Sequence, residues 1–175
     1  YADFAPADAI PALDPGEPRV IRMRTFSKAH GMAGARIGYA IGHPDLVAAF
    51  DRVRNHFGVN RIAVAGALAA LGDRGWLAHV GAEVAAGRER IAGIAAANGL
   101  ATLASATNFV AIDCGRDGAF AAAVLQGLIR RGIFVRKPGV APQDRCIRVS
   151  VGRPADLGAF AAALPEALAA AGGDE

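Results

Sequence analysis

Hydrophobic and polar positions change period several times along the chain. In RVIRMRTF, residues 19 to 26, Val20, Arg22, Arg24 and Phe26 alternate with Ile21, Met23 and Thr25, which is the two-residue period of a strand. RIGYAIG, residues 36 to 42, reads as a second short strand bounded by glycine. From His43 to Phe57 the period becomes helical: Pro44 and Asp45 form a start, and Leu46, Val47, Phe50, Val53 and Phe57 share a face. Asn60 to Leu71 predicts another helix, stopped by Gly72 and Asp73. Trp76 to Asn98 is the longest helical pattern, carrying Leu77, Val80, Val84, Ile91 and Ile94, with Asn98 and Gly99 as a C-terminal stop. Beyond it, TNFVAID (107 to 113) predicts a strand and Gly118 to Arg131 a helix. IFVRK (133 to 137) and CIRVSV (146 to 151) predict strands, and Pro154 to Ala171 a closing helix.

This alternation implies an α/β layer architecture. The glycines at 72 and 75 mark a boundary, giving domains 1–75 and 76–175, and no internal repeat is visible. With 175 residues, 53% of them hydrophobic and 20% charged, the chain can bury a real core. The net charge of +3 comes from scattered arginines and not from a basic block, which argues against nucleic acid as a partner. No charge-free apolar run reaches the length of a membrane span, so no membrane partner is expected and a cytoplasmic setting is. Cys114 and Cys146 lie far apart without a CxxC pair, so no metal site is expected and both read as small core residues. His30, His43, His56 and His79 form no cluster, and the arginines at 52 and 54, 88 and 90, and 130 and 131 read as solvated helix faces. The opening YADFAPADAI, without an initiator Met, reads as the interior of a longer polypeptide.

The chemistry concentrates in TFSKAHGMAGARIGYAIG, residues 25 to 42. The chain has two lysines, Lys28 and Lys137, against many arginines, so a lysine here is a choice beyond charge. An amine at the end of a strand, entering a glycine-rich turn, can be held and partly desolvated, which favours its nucleophilic form. Such an amine condenses with aldehydes. Ser27 places a hydroxyl beside it, Arg36 offers a planar fork of donors suited to phosphate, and Gly31, Gly34 and Gly38 let the backbone pass close to a ligand. The order Ser-Lys with glycines following is not a phosphate-binding Gly-Lys-Ser/Thr loop, and the glycine spacing is not that of a dinucleotide fold. A tight turn carrying an exposed lysine remains the plain alternative.

Ser27, Lys28, Gly31, Gly34, Arg36, Gly38 and Tyr39 together resemble the lysine motif of fold type I pyridoxal-phosphate enzymes of the class I/II aminotransferase group. Within that group the histidinol-phosphate aminotransferase branch is the most similar, and the resemblance runs over essentially the whole chain. It implies the end of a large cofactor domain followed by a small α/β domain, together the carboxy-terminal half of an enzyme. It implies pyridoxal 5'-phosphate as cofactor, held as a Schiff base on Lys28, with Ser27 and Arg36 on the phosphate. YADF resembles the family's Asp-Glu-Ala-Tyr segment, so Tyr1 would hydrogen-bond the cofactor's ring oxygen.

On the substrate side, CIRVSVG resembles the late strand whose arginine binds the substrate carboxylate, here Arg148. Strand alternation sets Ile147, Val149 and Val151 on one face and Arg148 with Ser150 on the other. GIFVRKP resembles the segment that places a second arginine, Arg136, near a distal phosphate, and Asn108 also matches the family pattern. One departure is Gly58, in His56-Phe57-Gly58-Val59-Asn60, where the family commonly has Asn. The implied reaction moves an amino group from an amino donor to a 2-oxo acid in a homodimer. A related decarboxylase, or a noncatalytic interaction domain, are the alternatives.

Overall fold

The computed structural model describes residues 1–173, which divide into two compact units, Tyr1–Gly81 and Ala82 onward. The first unit holds an antiparallel hairpin of β1 (Ile21–Thr25) and β2 (Gly38–Gly42), in register from Ile21 opposite Gly42 to Thr25 opposite Gly38. Two helices follow, α1 (Pro44–Ala49) and α2 (Arg61–Gly72). His43 caps α1, its Nδ1 accepting from the Asp45 amide at 3.3 Å, and Asn60 caps α2, its Oδ1 accepting from the Ala63 amide at 2.7 Å. Both caps satisfy amides that a helix start leaves without partners.

The expected helix over 43–57 stops early. A single 3-10 turn, Phe50–Arg52, follows α1, and Val53 and Phe57 are 81% and 94% exposed. Helices of this length depend on burying their apolar face. Here the periodic residues find no core, so the period alone does not propagate the helix.

The long helix α3 (Arg74–Ala97) carries the division between the units, and Gly99, at φ 71°, follows its end in the left-handed conformation that the predicted stop requires. The second unit then builds an antiparallel sheet in the order β3 (Ala101–Thr102), β4 (Phe109–Asp113), β5 (Cys146–Ser150), with α4 (Gly118–Arg130) and α5 (Pro154–Gly172). Val110 and Ile112 of β4 lie opposite Val149 and Ile147 of β5, and these four side chains form the buried face of the sheet. Ile91 and Ala95 of α3, Ala121, Val124 and Leu128 of α4, and Leu157, Phe160 and Leu164 of α5 pack into the same core. At Gly127 a Cβ would stand 3.0 Å from the Cβ of Ala167, so the absence of a side chain lets α4 and α5 approach closely. Pro165 sits inside α5 and removes one ladder bond, while Ala163, Leu164 and Ala167 around it are buried, which offsets the loss.

Two further expectations change, and one strand comes without a sequence signal. Residues 133–137 do not form a strand, since only Arg136 pairs, as an isolated bridge to Arg148. Pro138 follows closely and has no amide to continue a ladder. The two-residue β3 carries too few positions for alternation to reveal it. Arg88 does not belong to a solvated face: it is half-buried and its Nη1 donates to the Thr107 carbonyl at 3.0 Å. Cys114 and Cys146 are buried and free, as small core residues.

Candidate functional site

The hairpin's register explains why residues 27 to 36 form a closed loop. Thr25 pairs with Gly38, and the Phe26 amide donates to the Ile37 carbonyl at 3.3 Å, so Ser27 and Arg36 are the first residues beyond the last bonded pair, one on each side of the neck. Inside the loop the Gly31 amide donates to the Lys28 carbonyl at 2.9 Å, the Met32 amide to the Phe26 carbonyl at 2.9 Å, and the Ala35 amide to the Met32 carbonyl at 3.0 Å. Three inward bonds over so few residues leave the loop little freedom. Phe26 is 2% exposed, and its ring lies 5.0 Å from that of His30 and 5.6 Å from that of Tyr39. The aromatic cluster anchors the neck from beneath.

Two loop residues take the left-handed conformation, Gly31 at φ 69° and Arg36 at φ 52°. For Gly31 this carries no steric penalty, whereas for Arg36 it costs about 1–2 kcal/mol. The Arg36 Nη1 donates to the Ala33 carbonyl at 2.6 Å, one of the contacts that hold it there. Strained residues of this kind cluster where a side chain must be aimed.

Lys28 is exposed, unlike the partly desolvated amine expected from its setting, because Phe26 and Ala29 take the buried positions on either side of the turn. Its Nζ stands 5.6 Å from the centre of the Tyr1 ring. Tyr1 precedes a 3-10 turn, Ala2–Phe4, in which the Phe4 amide returns to the Tyr1 carbonyl at 2.9 Å. A cavity of about 340 Å³ lies beside this turn, lined by Tyr1, Ala2, Asp3, Met23, Arg24 and Thr25. One pair here had no sequence signal: Arg24 donates to Asp3, a contact across 21 residues that no motif or period announces.

In the second unit Arg148 is half-buried on the sheet face opposite the core, with its guanidinium carbon 4.7 Å from the centre of the Phe109 ring. The Arg136 amide donates to the Arg148 carbonyl at 3.1 Å, and the Arg148 amide donates to the Arg136 carbonyl at 2.6 Å. Residues exchanging both bonds stand directly opposite, so their side chains share a face. The structure thus brings Arg136 and Arg148 together as a pair of cations. Val149, beside Arg148, turns inward as alternation requires.

The first unit therefore offers an amine, a hydroxyl, a guanidinium and a phenol around one short loop, and the second a pair of guanidinium groups on one face. This donor set fits a phosphorylated aldehyde on the loop and a carboxylate or phosphate on the arginine pair. Among the described residues no group of three His, Cys, Asp or Glu side chains could hold a metal ion, and no helix is long and apolar enough to cross a membrane.

Comparison with known proteins bears on both units. Residues 1–164 match the family model described as aminotransferase class I and II. A histidinol-phosphate aminotransferase of Cupriavidus pinatubonensis is 41% identical over 151 residues, covering 86% of this chain and 40% of that protein. An aromatic amino acid aminotransferase of Rhodococcus jostii is 37% identical, covering 93% of this chain and 48% of that protein. Among solved structures, the histidinol-phosphate aminotransferase of Sinorhizobium meliloti in complex with pyridoxal-5'-phosphate superposes with a TM-score of 0.91 at 52% identity, covering 96% of this chain and 46% of that one. The chain thus spans less than half the length of each of these three relatives.

Proposed function

Because this chain belongs to the class I and II aminotransferase family, we propose that the complete protein is a pyridoxal-phosphate-dependent aminotransferase with Lys28 as its cofactor-bearing residue. The observation that carries the proposal is the loop itself: Ser27 and Arg36 flank its neck, one on each side, while the amine of Lys28 stands beside the ring of Tyr1. When bound, pyridoxal phosphate supplies an aldehyde carbon for the amino group and an electron-withdrawing ring that makes the substrate's α-proton acidic.

The chain's residues divide the remaining tasks. Arg36 and Ser27 hold the phosphate, the first by charge-assisted hydrogen bonds and the second through its hydroxyl. Tyr1 orients the cofactor by hydrogen-bonding its ring oxygen. The Lys28 amine takes up the proton that leaves the α-carbon of the amino donor and, in the return half of the cycle, delivers a proton to the α-carbon of the 2-oxo acid. Arg148 takes the substrate carboxylate in the two-pronged geometry that a guanidinium offers. Arg136, bridged beside it, suits a second anion such as a distal phosphate.

We assign the donor to the class of amino compounds that carry a second group beyond the reacting carbon, histidinol phosphate or an aromatic amino acid, with a 2-oxo acid as acceptor. The names of the relatives and the paired arginines support that class. A homodimer in the cytoplasm is part of the same proposal. In the complete protein, Lys28→Ala abolishes the absorbance of lysine-bound cofactor and transamination together, and persistence of both sinks the assignment. Arg148→Lys retains the cofactor band but raises KM for carboxylate substrates, and unaltered donor and acceptor kinetics contradict its role. Product analysis separates this reaction from decarboxylation: a keto product that keeps every carbon of the donor, formed together with the amino acid of the acceptor, supports the proposal, and carbon dioxide opposes it.

A further inference from the structure

We infer that Asp3 and Arg24 form a positioning pair that sets the ring of Tyr1 against the amine of Lys28. This inference rests on the reading of Lys28 given above. The Arg24 guanidinium donates to the Asp3 carboxylate, and their side chains are only 24% and 14% exposed. By comparison, Arg145 and Asp113 in the second unit pair at 43% and 28%. An ion pair this sheltered is screened little by solvent, and removing one partner leaves the other a poorly hydrated charge.

The connectivity gives the pair its leverage. Arg24 lies in β1, directly opposite Tyr39, four residues before Lys28. Its carbonyl is fixed by the close approach of β2, since a Cβ on Gly38 would stand 2.6 Å from it. Asp3 lies in the 3-10 turn Ala2–Phe4, two residues after Tyr1, and Phe4 at the end of that turn is 8% exposed. The contacts close a ring: Tyr1 to Asp3 through one turn, Asp3 to Arg24 through the ion pair, Arg24 to Lys28 through the end of β1 and the start of the loop, and Lys28 back to Tyr1 at 5.6 Å. The cavity bordered by Tyr1, Ala2, Asp3, Met23, Arg24 and Thr25 gives the turn room to shift when the ion pair is gone. A staple that merely stabilises the turn would have no consequence for the amine, and that is the difference a measurement can read.

The test uses the complete protein without cofactor. Limiting formaldehyde and cyanoborohydride methylate its lysines, and peptide mass spectrometry gives the extent at Lys28 relative to Lys137 in the same digest. Asp3→Asn raises that ratio about two- to fivefold, the factor corresponding to loss of a cation–π contact at an exposed site. Tyr1→Ala raises it equally, the double variant adds nothing, and Asp3→Glu restores the original ratio. An unchanged ratio in Asp3→Asn, with only the unfolding midpoint lowered, reduces the pair to a staple and overturns the inference. A further rise when Asp3→Asn is added to Tyr1→Ala also overturns it, because the effect then bypasses the ring. If Asp3→Asn does not fold, Arg24→Lys, which keeps the charge and loses the fork, carries the same two expectations. Loading wild-type protein with pyridoxal phosphate and reducing it with borohydride tests the parent reading separately: absence of a label on Lys28 defeats the proposed function and leaves the methylation result standing by itself.

Discussion

Gly31, Gly34 and Gly38 look alike in the sequence, and the structure gives each a different tolerance for a methyl group. At Gly38 a Cβ would stand 2.6 Å from the Arg24 carbonyl oxygen, whereas close carbon–oxygen contacts settle at roughly 3.3–3.6 Å. Gly38→Ala therefore forces β1 and β2 apart by about 0.7–1.0 Å at a point four residues from Lys28. Overpacking of this kind costs about 1–3 kcal/mol, which at a slope near 2 kcal/mol per molar lowers the urea midpoint by about 1 M. A displacement of that size beside a reacting group also lowers kcat by on the order of a hundredfold. Gly34→Ala is the control, because nothing lies within 4 Å of its Cβ and its φ is not positive. Its midpoint stays level or rises by the equivalent of about 0.4–1 kcal/mol. Gly31→Ala meets no atom within 4 Å either, but at φ 69° it costs about 1–2 kcal/mol through conformation alone. Urea unfolding of the three variants in the complete protein, with kcat measured alongside, makes the comparison. If Gly38→Ala matches Gly34→Ala in midpoint and turnover, the close approach of the two strands does not constrain the lysine loop.

Arg36→Gly separates strain from function: releasing the left-handed residue leaves the unfolding free energy from urea titration within about 1 kcal/mol of wild type, while affinity for pyridoxal phosphate, measured by equilibrium dialysis, falls at least tenfold. A midpoint that drops sharply with affinity unchanged makes Arg36 structural. Asn60→Ala removes the cap of α2 and lowers stability by about 1 kcal/mol in chemical denaturation; an unchanged midpoint means the cap bond is not formed in solution. Burial pushes the Cys114 thiol up to about 11, with the negative charge of Asp113 and the neighbouring Cys146 adding to the effect. The unfolded chain releases this proton from about pH 8.5 and the folded one does not, so stability present below pH 8.5 is lost as pH rises toward 11, on the order of 3 kcal/mol in all. Denaturation midpoints at pH 8 and 10.5 fall less in Cys114→Ala than in wild type, and equal slopes in the two proteins refute the assignment.

What could be read from the chain followed from whether one element's own residues decided its structure. The 24-residue α3 carries enough turns for its period to stand out, and Asn60, Asp117 and His43 each announce a helix start through a local side-chain bond. Cys146–Ser150 was legible because Ile147 and Val149 both turn into the core while Arg148 does not. By contrast, the apolar spacing from Val53 to Phe57 promised a helix that only packing could have secured, and these residues are exposed. IFVRK has the composition of a strand but forms a single bridge, a matter of partner and not of propensity. In the candidate site, Lys28, Ser27 and Arg36 were conspicuous through residue type and spacing. The Asp3–Arg24 pair was invisible, because two common residues 21 positions apart carry no local pattern. The direct opposition of Arg136 and Arg148 likewise depends on register, which sequence periodicity does not supply.

Everything proposed for the reaction passes through the amine of residue 28. The complete protein, saturated with pyridoxal phosphate, reduced with borohydride and digested, reports directly where the cofactor was attached. A phosphopyridoxyl group on the peptide containing Lys28, absent when amino donor is added before reduction, is the predicted result. A label confined to another lysine, or one on Lys28 that no amino donor removes, contradicts the account.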